Sequence, residues 1–268
     1  MKKTAAIVCL FLLSFAASAG PKLYVFDCGH LTFDDVAFFG LTNEETPVRE
    51  LFVPCYLIEH EQGNLIWDAG LPLDMVGPRS TDATSWYETS IVDQLADLGL
   101  TPADIDFTSF SHFHYDHVGA ANAFRDAILL IQQTEYEAAF EHPETNPVFR
   151  PALYNELEDS IKVMLNGDHD VFGDGSVVIV SAPGHTPGHQ VLQLELDNMG
   201  TLILSGDLYH FVESREMKRV PSFNTDRDQS LSSIDKIEAL IEATNATFWI
   251  EHNLELANSL NLAPAFYD

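Results

Sequence analysis

The sequence predicts a mixed α/β domain running from Gly20 to Asp268. Three observations lead there. Short apolar runs of strand-forming residues alternate with helical patterns, with no low-complexity linker, charge block or repeat between them. The chain is 268 residues long, enough for one large domain or two small ones, and no compositional break marks a boundary. Polar residues also recur where apolar runs end: His112 after "FTSFS", Asp207 after "TLILSG", His252 after "ATFWIE" and His185 after "VVIVSAPG". The edge where strands end is where α/β proteins commonly build sites.

The elements follow in order. "PKLYVFDCG" (21–29) and "LFVPCYLIEH" (51–60) carry strand-type residues, and "NLIWDAG" (64–70) is the hairpin partner of the second through Gln62-Gly63. "SIVDQLADLGL" (90–100) has helical spacing at Ile91, Leu95 and Leu98 and stops at Gly99. "TPADIDFTSFSHFH" (101–114) passes from a capped turn into a strand. "AILLIQQ" (127–133) is a buried strand, and "TEYEAAFEH" (134–142) starts a helix at Thr134. Residues 143–175 are expected as loop and helix. "SVVIVSAPG" (176–184), "QVLQLEL" (190–196) and "TLILSGD" (201–207) are three more strands. "DQSLSSIDKIEALIEAT" (228–244) is a long amphipathic helix, and "ATFWIEHN" (246–253) is the last strand.

Composition narrows the function. Hydrophobic residues are 46% and charged residues 20%, ordinary for a globular chain. Lys+Arg number 13 against 41 Asp+Glu, a formal net charge of -28. Such a surface repels phosphate backbones and anionic bilayers, so neither nucleic acid nor a membrane is an expected partner. The first 19 residues read as a leader: Lys2 and Lys3, then the apolar "AAIVCLFLLSFAA", then "ASA" before Gly20. That is the layout of a cleaved secretory signal, and it places the mature chain in the periplasm or outside the cell. Beyond it the cysteines are Cys28 and Cys55. An oxidising compartment permits a disulfide, but two cysteines in a large domain make no disulfide framework. They are expected as buried thiols in neighbouring strands.

The densest signal is "SHFHYDHVGA" (111–120). In an extended chain residues two apart point the same way, so His112 and His114 can reach one ion. Asp116 and His117 follow at the turn and can face a second. Imidazole and carboxylate are the ligands zinc takes outside thiolate sites, and an open catalytic site needs three protein ligands plus water. His112, His114 and His185 make one set. Asp116, His117 and His252 make another, and Asp207, with two oxygens, can bridge them. His30, His60, His142 and His169 are expected at the surface or in loops. His189 is expected to support or pack.

These residues resemble the His-x-His-x-Asp-His signature of the metallo-β-lactamase-fold hydrolases, and the resemblance extends over nearly the whole mature chain. It implies an αββα sandwich of two mixed sheets flanked by helices. "NLIWDAG" resembles the early strand whose Asp68 supports the ligand loop, "APGHTPGHQ" the turn presenting His185, "SGD" the bridging Asp207 and "EHN" the last ligand, His252. The chain is most similar to the N-acyl-homoserine lactonases in "KLYVFDCGH", "VPCYLIEHEQGNLIWDAGLP", "TEYEAA" and "APGHTPGHQ". That resemblance implies two Zn2+ per chain, other divalent metals being an alternative, and opening of a lactone ring by water activated between them. Asp116 and Asp207 would handle protons, with Tyr209 or His210 near the substrate carbonyl.

One departure bears on substrate. Many such lactonases carry tyrosine three residues after the bridging aspartate; here that position is His210, and Tyr209 lies one earlier. Methyl parathion hydrolases have histidine there, so the alternative is a secreted metal-dependent aryl ester or organophosphate hydrolase, or another metallo-β-lactamase-fold hydrolase. Asp207 argues against true metallo-β-lactamases, which lack it. The acid-for-histidine exchange of flavodiiron proteins at His114 is missing, whereas the single-iron persulfide dioxygenases share much of the motif. A zinc-loaded binding protein without catalysis, and a homodimer, are further alternatives. For the acyl side of a substrate, Phe38 and Phe39 in "FDDVAFFGL" (33–41), with Phe140, Phe149 and Tyr154, are the candidate pocket lining.

Overall fold

In the computed structural model the structure describes residues 20–80 and 83–268; the expected leader, 1–19, lies outside them. Among these residues no helix is long and apolar enough to cross a membrane. The strands are β1 (Lys22–Thr32), β2 (Glu50–His60), β3 (Gly63–Ala69), β4 (Ser85–Trp86), β5 (Phe107–Ser109), β6 (Ile128–Gln132), β7 (Lys162–Leu165), β8 (His169–Asp170), β9 (Val177–Ser181), β10 (Gln190–Leu196), β11 (Gly200–Leu204) and β12 (Thr247–Trp249). The helices are α1 (Ile91–Asp97), α2 (Gln133–Tyr136), α3 (Val212–Glu216), α4 (Arg227–Thr244) and α5 (Leu254–Ala257).

Seven strands form one sheet in the order β4-β1-β2-β3-β5-β6-β7, and five form the other in the order β12-β11-β10-β9-β8. Both are mixed: β3, β5, β6 and β7 run parallel, as do β11 and β12, and the other pairs are antiparallel. Side-chain alternation decides the layering. Leu65 and Trp67 of β3 join Leu192 and Leu194 of β10 between the sheets, with Tyr56, Leu202 and Trp249. Ile66 points the other way, into the layer with Ile91 and Leu95 of α1. Val191 and Ile203 face outward from the second sheet onto Ile234 and Ile237 of α4. The result is the αββα sandwich expected from the resemblance.

Local chemistry explains the ends. Ser90 caps α1 by accepting from the Asp93 amide, and Asp226 caps α4 by accepting from that of Gln229. α4 closes at Asn245, which adopts the left-handed conformation at φ 53°. Pro54 lies inside β2, a central strand, where a missing amide proton normally disrupts a ladder. It is tolerated because both neighbours slip there: the register shifts between Asp27 and His30 on β1, and between Cys55 and Tyr56 against β3.

Several expectations are corrected. Cys28 and Cys55 do lie buried in neighbouring strands, but they are bonded as a disulfide with a Cα–Cα separation of 5.7 Å. The bulge in β1 brings the two side chains together, which spacing in sequence does not reveal. Residues 143–175 contain the edge strands β7 and β8 besides short 3-10 turns. The helix expected from Thr134 is one α turn followed by a π turn over Glu137–Glu141, ended by Pro143. His60 is buried rather than on the surface: its Nε2 lies 3.0 Å from Asp174 and its ring stacks on Phe172. His30 sits on β1, stacked on Trp86, between the carboxylates of Asp27 and Glu50.

Candidate metal centre

Four strand ends deliver the expected residues to one place. His112 follows β5, His185 follows the turn after β9, Asp207 follows β11 and His252 follows β12. All seven expected ligands are buried. Candidate ligand atoms of His112, His114, His185 and Asp207 lie within 4.8 Å of one another, and those of Asp116, His117 and His252 form a second such group. Asp207 faces both. Its Oδ2 is 3.1 Å from His185 Nε2 and 3.5 Å from His112 Nε2. Its Oδ1 is 2.9 Å from His252 Nε2 and 3.3 Å from His117 Nε2. Asp116 Oδ2 is 3.9 Å from both His117 and His252 Nε2.

The residues fit metal ions. His185 Nε2 is 3.2 Å from His112 Nε2 and 3.1 Å from His114 Nδ1. Two nitrogens bound to one tetrahedral zinc at about 2.05 Å would stand roughly 3.3 Å apart. His117 Nε2 and Asp207 Oδ1 are buried without a hydrogen-bond partner, a costly state that a cation relieves. Burial, then the neighbouring imidazoles, hold His112 and His114 well below the ordinary histidine pKa, in the neutral form that ligates metal. Burial raises the Asp207 carboxyl, but the surrounding histidines, His210 foremost, outweigh it and hold the group well below the usual carboxylate range.

Each histidine has its other ring nitrogen fixed, the arrangement that orients metal ligands. Ser111 Oγ is 3.1 Å from His112 Nδ1, Asn146 Nδ2 is 3.0 Å from His114 Nε2, and Asn224 Oδ1 is 2.9 Å from His185 Nδ1. His252 Nδ1 lies 2.7 Å from the Phe52 carbonyl, and His117 Nδ1 lies 2.8 Å from Asp68 Oδ2. Asp68 also accepts from the Ser111 amide at 2.6 Å, as its expected supporting role requires. His189 supports too: its Nε2 is 2.9 Å from the Asp207 amide. Glu135 is fully buried and accepts from the amides of Phe113 and Gly188, tying the His112–His114 loop to the His185 turn. Glu251 is buried beside Asp68 and His117, its carboxyl pushed up to about 8 by burial and then by the Asp68 charge. Asn146 and Asn224 carry no motif in the sequence, and Glu135 and Glu251 lie inside "TEYEAA" and "EHN" without any signal that singles them out as supports.

Of the two residues expected near a substrate carbonyl, the structure brings in one. His210 is buried with Nε2 2.9 Å from Asp207 Oδ2. Tyr209 packs instead against α4, and its hydroxyl donates to Glu238, which also pairs with Arg215. A cavity of about 280 Å3 opens beside the cluster, lined by His114, Asp116, Asp207, His210 and His252 and by Leu31, Phe33, Phe38, Phe39, Leu51, Tyr115, Val148 and Phe223. Phe38 and Phe39 thus lie where expected. Phe140 and Tyr154 do not: they pack on Phe113 in the core, and Phe149 packs there beside His114.

This fold and this pair of ligand clusters define a metal-binding αββα protein, and residues 48–245 match the family model described as "Metallo-beta-lactamase superfamily"; the chain belongs to that superfamily. Within it the chain is similar to the N-acyl homoserine lactonase AttM of Rhizobium radiobacter, 30% identical over 239 residues that cover 81% of this chain and 88% of the relative. An N-acyl homoserine lactonase of Bacillus thuringiensis is 29% identical over 257 residues, 91% and 98% of the two chains. Among solved structures, an N-acyl homoserine lactone hydrolase with the product N-hexanoyl-L-homoserine at its catalytic metal centre superposes with a TM-score of 0.77. It is 27% identical, over 92% of this chain and 99% of that one.

Proposed function

We propose that the protein is a dinuclear metal hydrolase that opens the lactone ring of N-acyl-homoserine lactones. The observation that carries this is Asp207, with one oxygen toward each histidine cluster, at the floor of an aromatic cavity. The similarity to lactonases over most of both chains supports the substrate class.

His112, His114 and His185 would hold one ion, Asp116, His117 and His252 the other, with Asp207 shared; zinc suits this donor set. Bound there, such ions supply Lewis acidity and lower the pKa of water toward neutrality. The chain's residues do the rest. Leu31, Phe33, Phe38, Phe39 and Phe223 receive the acyl chain and exclude water from the cavity. Asp116 lines the cavity and would accept the proton that the attacking water gives up and return it to the ring oxygen as the ester C–O bond breaks. His210 faces the same cavity and orients the ester carbonyl.

The test is hydrolysis by metal-loaded protein of acyl-homoserine lactones beside aryl esters and a phosphotriester. Preferred lactone opening supports the proposal. Preference for aryl esters or phosphotriesters moves the substrate class and makes His210 the meaningful departure. Metal binding without turnover of any of them refutes hydrolysis. Export with loss of the first 19 residues is likewise proposed, and amino-terminal sequencing of exported protein starting far from Gly20 would refute it.

A further inference from the structure

Glu251 is a buried acid that the mechanism above does not use. Its side chain leaves the end of β12, in the second sheet, and reaches the first sheet, where Trp67 Nε1 donates to Oε1 at 3.4 Å. It is 3% exposed, and Oε2 has no hydrogen-bond partner. Candidate ligand atoms of Asp68, His117 and Glu251 all lie within 4.8 Å of one another. The Glu251 amide donates to Ser205 Oγ, two residues before Asp207. An acid placed so deep is costly, and an apolar side chain would fill the volume more stably. Its position answers a mechanical need. Asp68 has left-handed backbone at φ 58°, a conformation that persists only where the surroundings over-determine it. Asp68 in turn fixes the ring of His117, and that ring's other nitrogen faces Asp207.

We infer that Glu251 is a positioning residue for the ion held by Asp116, His117 and His252, acting through Asp68 to hold the His117 ring rather than by touching the ion. The inference rests on the two-ion reading above. It makes the two ions unequal: the buried acid on the side of the His112–His114–His185 ion, Glu135, accepts from the backbone amides of Phe113 and Gly188 and does not stand behind an acid that fixes a ligand ring.

The test is a stepwise metal titration of the apoprotein against a chromophoric chelator, with Zn2+, in the wild type, Glu251→Met and Glu251→Gln. The two steps are assigned by repeating the titration in His114→Ala. Glu251→Met should weaken the ion of the His117 side by about 10- to 100-fold, the range for loss of a residue that orients a ligand from behind, and leave the other within about twofold. Glu251→Gln, which keeps the length and hydrogen-bonding groups, should recover most of the loss. In an Asp68→Asn background Glu251→Met should add nothing, because the path is already cut. Unchanged affinities in folded Glu251→Met, equal loss of both ions, or full additivity with Asp68→Asn would overturn the inference. If Glu251→Met does not fold, Glu251→Asp shortens the reach by one methylene and carries the same expectation. A wild type that binds fewer than two ions overturns the two-ion reading and this inference with it; two ions with no selective loss overturns the inference alone.

Discussion

Asp68 holds its backbone at φ 58° while its Oδ2 stands 2.8 Å from His117 Nδ1. A strained acid is thus spent on fixing one imidazole, which settles which ring nitrogen faces Asp207. Asn tolerates the left-handed conformation, so Asp68→Asn removes the charge with little added strain. It should lower metal affinity on the His117 side by about 10- to 100-fold while the protein stays folded. Chelator competition together with circular dichroism checks both parts.

Phe38 is 39% exposed and lines the cavity, so much of its ring is free of core packing. Phe38→Ala should forfeit about 1.4 kcal/mol of apolar contact with a long acyl chain, roughly tenfold in KM. A decanoyl lactone should show that loss and a butanoyl lactone little of it. Equal changes for both would place the acyl chain elsewhere.

Much of the centre was legible because four of its seven candidate ligands lie within six consecutive residues, and the other three each close an apolar run. What was not legible arrives from segments without a period. Asn146 and Asn224 come from loops, and Phe223 and Val148 line the cavity from stretches with no pattern. Tyr209 and His210 show a different limit. Asp207 has φ -91° and ψ 25° inside a 3-10 turn, so the alternation of β11 does not continue past it and residue spacing cannot say which side chain turns inward. The disulfide was hidden by the β1 bulge, and β7 and β8 by their lengths of four and two residues.

The Cys28–Cys55 bond closes a separation of 27 residues and crosses beneath Gly70, where an added Cβ would lie 2.3 Å from Cys28 Cβ. Its removal should cost about 3 kcal/mol, or about 6 to 12 °C in Tm. Melts of the wild type with and without reductant, and of Cys28→Ala/Cys55→Ala, give the comparison. Two free thiols in unfolded, unreduced protein would show that the bond does not form.

His30 supplies a pH dependence outside the metal cluster. Burial lowers its pKa, but Asp27 and Glu50 outweigh burial and leave it raised above 6.5. A raised folded pKa stabilises fully below the unfolded value and is lost as pH climbs through the folded one. The stability difference between wild type and His30→Gln should therefore be largest at and below about pH 6 and shrink toward pH 9. Urea melts at both pH values measure it; a difference that grows with pH contradicts the assignment.

If Asp207 joins two ion sites, one oxygen to each, the number of ions bound per chain reports it. Elemental analysis of purified metal-loaded protein should give two ions per chain in the wild type and one in either His114→Ala or His252→Ala. Asp207→Ala should hold fewer than two and lose hydrolysis. One ion per chain in the wild type, or two ions and full hydrolysis in Asp207→Ala, would contradict it.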